Sequence, residues 1–145
     1  DRAVRWASLD EGDLISLMEI SADIALSISS FLERTGRRNL ADEFYLFSRR
    51  LRYGLKEDIA RSDLVELMIE RETEAVEPLS RREVRVLFDH GYHSIRDIVM
   101  RDVDSSKKQP ARIRFMRNSG LPRDRASSIY KMAQGLFRQR RTQDT

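Results

Sequence analysis

Arg81, Arg82 and Arg85 stand within about one helical turn of each other and lead into the turn His90-Gly91-Tyr92-His93. Guanidinium groups gathered on the outer face of a helix can fork onto phosphate oxygens or stack on unpaired bases. Gly91 supplies the backbone freedom of the turn, and His93 beside it is a candidate phosphate contact. Lys107, Lys108, Arg112, Arg114, Arg117, Arg123 and Arg125 extend the basic series downstream, and Arg49, Arg50 and Arg52 form a basic turn upstream. Other chemistry finds no vehicle in the sequence. It contains no G-x-x-x-x-G-K-[ST] loop, no G-x-G-x-x-G and no G-x-S-x-G, and so no motif that cradles nucleotide phosphates or presents a nucleophile. His90 and His93, with Asp89 and Asp97, have the composition of a metal cluster. Two histidines flanking a glycine turn, however, lack the helical spacing that makes imidazoles converge. Without cysteine there is no thiolate zinc site and no disulfide framework. The expectation is a chain with no catalytic residue, no metal ligand and no cofactor of its own.

Charge supports the same direction. Residues 1–60 carry 9 basic and 11 acidic side chains, residues 61–77 carry 2 and 6, and residues 78–145 carry 16 and 7, or −2, −4 and +9. A basic second half behind a nearly balanced first half is the footprint of a module that binds a polyanion. A surface that merely keeps the protein soluble would carry the same charge.

The elements that position these residues read as helices. Leu14, Leu17 and Met18 suggest a first short helix, and Ile24, Ile28, Phe31 and Leu32 one face of a second, stopped at Gly36. Leu40, Phe44, Phe47 and Leu51 make the cleanest stripe, ended by Gly54, and Ile59, Leu64, Leu67 and Met68 continue an apolar face. Residues 1–70 are therefore expected to form a four-segment bundle. Acidic residues from Glu70 to Glu77, ending at Pro78, read as a linker over 71–79. In the basic lobe, 80–141, Val84, Leu87 and Phe88 face inward, Gly91 ends the helix, and Ser94 caps the next, which carries Ile95, Ile98 and Val99. A polar connection follows through Ser105, Ser106, Lys107, Lys108, Gln109 and Pro110. Ile113 and Met116 suggest a short helix ended by Gly120, and Pro122 suits the start of a last helix with Ala126, Ile129, Tyr130, Ala133, Leu136 and Phe137 on one face. Residues 142–145 are expected to be a frayed tail, with fraying from 138. No segment alternates as a strand does, so the fold class is all-α.

In the run from Leu79 to Val99, the positions Leu87, Phe88, Gly91, Tyr92, Ser94, Ile95, Asp97 and Ile98 are similar to the helix-hairpin-helix unit that closes Ski-type superfamily-two helicases, particularly archaeal DNA helicases acting at stalled forks. Arg50-Leu51-Arg52-Tyr53-Gly54-Leu55-Lys56-Glu57 resembles the segment those helicases place just before that unit. Trp6, Glu11, Leu14, Ile20, Asp23 and Ile24 follow the start of their ratchet domain. The resemblance covers most of residues 6–99 in order. It departs at Ser80, where the family has a hairpin glycine, and at Glu83, where the family has the middle arginine of a basic triplet. The ratchet segment is also about ten residues shorter and lacks an evident base-stacking aromatic.

What the resemblance implies is a non-catalytic C-terminal region of an ATP-dependent DNA helicase. A ratchet-like bundle would be followed by a helix-hairpin-helix lobe, with Mg-ATP held by motor domains of the same polypeptide that precede residue 1. Its partners would be single-stranded or forked DNA. Residues 107–141 would add a second, degenerate helix-hairpin-helix half. The chain begins at Asp1 and reads as an excised fragment, expected to be monomeric, without a membrane span or signal, and intracellular, in the cytoplasm or, in a eukaryote, the nucleus. Two other readings stand beside this one: a duplex-binding helix-hairpin-helix module of a repair or recombination protein, and a protein-interaction bundle using Tyr130, Phe137 and their apolar neighbours.

Overall fold

The computed structural model describes residues 11–69, 76–100 and 110–143, and every regular element among them is helical. The chain divides into two compact units, residues 1–60 and 61–145. That division comes about ten residues before the expected end of the bundle. Leu64, Val65 and Leu67 are fully or almost fully buried in the second unit, so the segment expected to be a fourth bundle helix belongs to the lobe behind it. Trp6, Glu70, residues 71–75 of the expected linker, and Lys107 and Lys108 lie outside the described residues.

The first unit is a helical hairpin. Helix α1 runs Glu11–Arg34 without interruption, joining the two helices expected around Leu17 and Ile24. No proline or glycine breaks residues 13–34, and Glu11 and Asp13 in the first turn and Arg34 in the last suit the helix dipole. It ends where Gly36 takes φ +79°, with its N–H bonded to the Glu33 carbonyl and that of Arg37 to the Leu32 carbonyl. Helix α2, Arg38–Tyr53, returns antiparallel and ends at Gly54 in the left-handed conformation, and a single turn, α3, Glu57–Ala60, follows.

Small residues make the hairpin seam. Ala22, Ala25, Ser29 and Leu32 of α1 are buried with Ala41, Leu46 and Ser48 of α2, and the Ser29 hydroxyl donates to the Ala41 carbonyl at 2.7 Å. The expected apolar stripes are only partly covered, at Leu32 in the seam and at the half-buried Phe44 and Leu51. Ile24 is 57% exposed and Phe31 66%, with Leu40 and Phe47 about half exposed. By length and composition α1 could also cross a membrane, although Glu19 and Asp23 stand in its middle.

The second unit buries large side chains. It opens with a 3-10 helix, Asp63–Met68, whose start is capped by the Ser62 hydroxyl. Helices α4 (Arg81–Asp89), α5 (Ile95–Met100), α6 (Ala111–Asn118) and α7 (Arg123–Gln143) follow. Leu87, Ile95, Ile98, Phe115 and Ile129 are at most 1% exposed, and Tyr92 meets Phe115 edge to face with ring centroids 5.1 Å apart. Burying each such side chain contributes about 1.5–3 kcal/mol, so this small unit carries a dense core. Helix α7 holds its expected apolar face and stays helical to Gln143, past the point where fraying was expected.

Candidate nucleic-acid interface

Two helix-turn-helix pairs frame the basic surface of the second unit. In the first, α4 passes through Gly91 (φ +81°) to α5, and in the second, α6 passes through Gly120 (φ +73°) to α7. The two turns touch. A Cβ on Gly120 would lie 2.3 Å from Cε1 of His90, so the second turn needs glycine both for its conformation and for the approach of the His90 ring.

The start of α4 is built by its own sequence. The Ser80 hydroxyl accepts from the Glu83 N–H while the Glu83 carboxylate accepts from the Ser80 N–H, a reciprocal capping box. Ser80 and Glu83, two of the positions that depart from the helicase pattern, are thus the pair that starts the helix. Glu83 also receives Arg125 of α7, Nε to Oε1 at 2.5 Å, and Arg125 donates further to the Pro78 and Glu77 carbonyls. Burial pushes the Glu83 carboxyl upward. The bonds from Arg125 and from the Ser80 backbone and hydroxyl outweigh it, and hold the group below the usual glutamate range. The same contact raises the Arg125 guanidinium. At the other end of α7, Arg140 bonds both Asp63 and Glu66 at 2.7 Å, clamping the 3-10 helix.

The expected contact residues therefore separate by what already occupies them. Arg125 is committed to the interior network. In the first unit, Arg49 lies 4.8 Å over the Tyr45 ring and donates to the Ala60 carbonyl, Arg50 sits 4.0 Å from Glu57, and Arg52 is bound to Asp23. Arg112 donates to the Ser127 hydroxyl at 2.7 Å, and Arg114 is half-buried on α6. Arg85 is half-buried, with its Nε enclosed and unbonded. Arg81 and Arg82 are exposed on the first turn of α4 with no hydrogen bond or ion pair among the described residues. Arg117 and Arg123 have none either, and together with Ile113, Met116 and Leu121 they line a hollow of about 370 Å³ beside the second turn. Arg96, exposed on α5, was not among the sequence candidates, because a lone arginine outside a basic run gives no local signal.

The first turn spends its amides internally. The N–H groups of His90, Gly91 and Tyr92 bond carbonyls of α4, and that of His93 bonds the Asp97 carboxylate, so phosphate would meet side chains there rather than backbone. His90 Nδ1 donates to the Val86 carbonyl and His93 Nε2 to the Phe88 carbonyl, so the two rings serve the turn rather than a common centre. Among the described residues no three His, Cys, Asp or Glu side chains group closely enough to hold a metal ion. The second unit offers four solvated guanidinium groups, two at the start of α4 and two beside the Gly120 turn, of a chemistry suited to phosphates and to the faces of unpaired bases. No family model, curated protein or solved structure matches the chain.

Proposed function

We propose that the second unit is a nucleic-acid-binding lobe of the helix-hairpin-helix kind. Following the sequence resemblance, the chain is read as the C-terminal region of an ATP-dependent DNA helicase, holding single-stranded or forked DNA for a motor that binds Mg-ATP. The observation that carries the reading is the solvated set of Arg81 and Arg82 at the start of α4 and Arg117 and Arg123 beside the Gly120 turn. Arg125 and Arg140, by contrast, are consumed in holding the unit together. Arginines with no partner among the described residues retain their charge for a ligand.

Fluorescence anisotropy of labelled single strand, duplex and fork over a salt series tests it. The 145-residue chain is expected to bind single strand and fork at about micromolar affinity or weaker, with affinity falling as salt rises. Reversing Arg81 and Arg82, or Arg117 and Arg123, to Glu should each weaken binding at least about tenfold and flatten the salt slope by about two. Equal affinity for duplex moves the assignment to a duplex-binding repair module. Absence of binding to all three at low salt overturns the reading.

A further inference from the structure

We infer that the first unit pairs with a second copy of itself, α1 against α1, around a twofold axis at Ile24. This does not rest on the nucleic-acid reading, and it departs from the expected monomer. Helix α1 carries two apolar stripes. The narrow one, Ala22, Ala25, Ser29 and Leu32, is used by α2. The broad one, Leu17, Ile20, Ile24, Ile28 and Phe31, is between 37% and 66% exposed. At about 100° per residue the middle of the broad stripe lies about 100° around α1 from Asp23, which borders the same groove as Ile20, Ile24, Ile28 and Phe31. Asp23 and Arg52 close one edge of the hairpin, while the stripe and the half-exposed Leu40 and Phe47 of α2 stay open. Seven half-exposed side chains of roughly 200 Å² each offer roughly 700 Å², close to the ~800 Å² that each partner buries in a standard interface.

The choice of a second copy comes from the order of residues. The stripe is palindromic: Ile20 and Ile28 stand four residues either side of Ile24, and Leu17 and Phe31 seven. An antiparallel twofold pairing sets Ile24 against itself and Leu17 against Phe31, as an isologous interface requires. Charge agrees. Residues 11–33 carry Glu11, Asp13, Glu19, Asp23 and Glu33 and no basic side chain, while Arg34, Arg37 and Arg38 gather at the far end, so each acidic half lies over the other copy's basic end. A bilayer fits the face less well, since an aspartate such as Asp23 at its centre costs about 2.5–3.5 kcal/mol.

Sedimentation velocity of the whole chain from low micromolar to high micromolar concentration is expected to show a monomer–dimer equilibrium. Ile24→Glu should weaken it about 30-fold or more, the loss expected at a central hot spot, with helicity by circular dichroism unchanged because Ile24 is exposed. The chain has no cysteine, so Ile24→Cys places one thiol at the proposed axis. A short bis-maleimide should link it into dimers far faster than Ser30→Cys on the polar side. A chain monomeric throughout, an Ile24→Glu variant that dimerises like the parent, or equal cross-linking at the two cysteines overturns the inference. So does a monomer that binds anionic vesicles through this face.

Discussion

Where the helices of the first unit meet, the side chains are mostly small, Ala22, Ala25, Ser29, Ala41 and Ser48 beside Leu32 and Leu46, and the large Ile24, Phe31 and Phe47 face water. Where those of the second unit meet, the side chains are Leu87, Ile95, Phe115 and Ile129, and among the described residues arginine is the commonest that faces water. The two units use the same vocabulary in opposite places. A seam of small residues lets backbones approach, as the bond from Ser29 to the Ala41 carbonyl shows, but removes little apolar area from water. The second unit derives its stability from its interior, whereas the first leaves much of its potential stabilisation on its surface, available to a partner.

The sharpest way to break that contrast is to truncate one aromatic in each unit. Phe115→Ala, at 0% exposure, should cost the second unit about 3–5 kcal/mol in urea unfolding. Phe31→Ala, at 66% exposure, should cost the unpaired first unit less than about 1 kcal/mol. Equal costs would mean that both units are built alike. Glycine gives the next comparison. Gly36 and Gly120 both have positive φ, but a Cβ on Gly36 meets open space while one on Gly120 collides with His90. Gly36→Ala should cost about 1–2 kcal/mol and Gly120→Ala about 3, read as separate shifts in thermal unfolding.

The smallest effect refines the picture of the second unit. Glu83 is held below its ordinary pKa, so its contribution is complete above the unfolded-state value, about 4.3, and is lost as pH falls through the lower folded value. Glu83→Gln should cost about 1–2 kcal/mol at pH 7 and progressively less under acid, with the two urea curves converging. A constant difference at all pH values would remove the carboxylate from the account.

Much of the second unit was legible because its signals are local. Gly91 after Phe88, Ser94 before Ile95 and Pro122 before Arg123 each start or stop a helix with a nearby group, and the helices lie where those residues put them, whereas the equally local pair Ser80 and Glu83 was read only as a departure from the helicase pattern. The all-α class followed from the same periodicities. The first unit was misread in its interior. The repeat of Ile24, Ile28, Phe31 and Leu32 locates an apolar stripe, but periodicity says nothing of which stripe a neighbour will cover, and α2 covers the narrow one, taking only Leu32 of that repeat. The candidate contact residues were legible as a set and not as individuals. Arg125 and Arg123 are two residues apart, yet one is bound to Glu83, 42 residues earlier in the chain, and the other faces solvent. No local pattern reports a partner at that distance.

The clamp at Arg140 has a consequence for how the protein is made. Its bond to Asp63 joins residues 77 positions apart, and the same guanidinium holds Glu66. During synthesis the 3-10 segment that opens the second unit emerges early and must wait for nearly the whole unit before its last partner leaves the ribosome. Contacts so far apart are slow to form, because loop closure precedes any stabilisation they return. The helical hairpin of the first unit, joined by a three-residue turn, can close as soon as α2 is complete. The nascent chain would thus present a finished first unit, with its apolar face open, while the basic lobe is still unassembled.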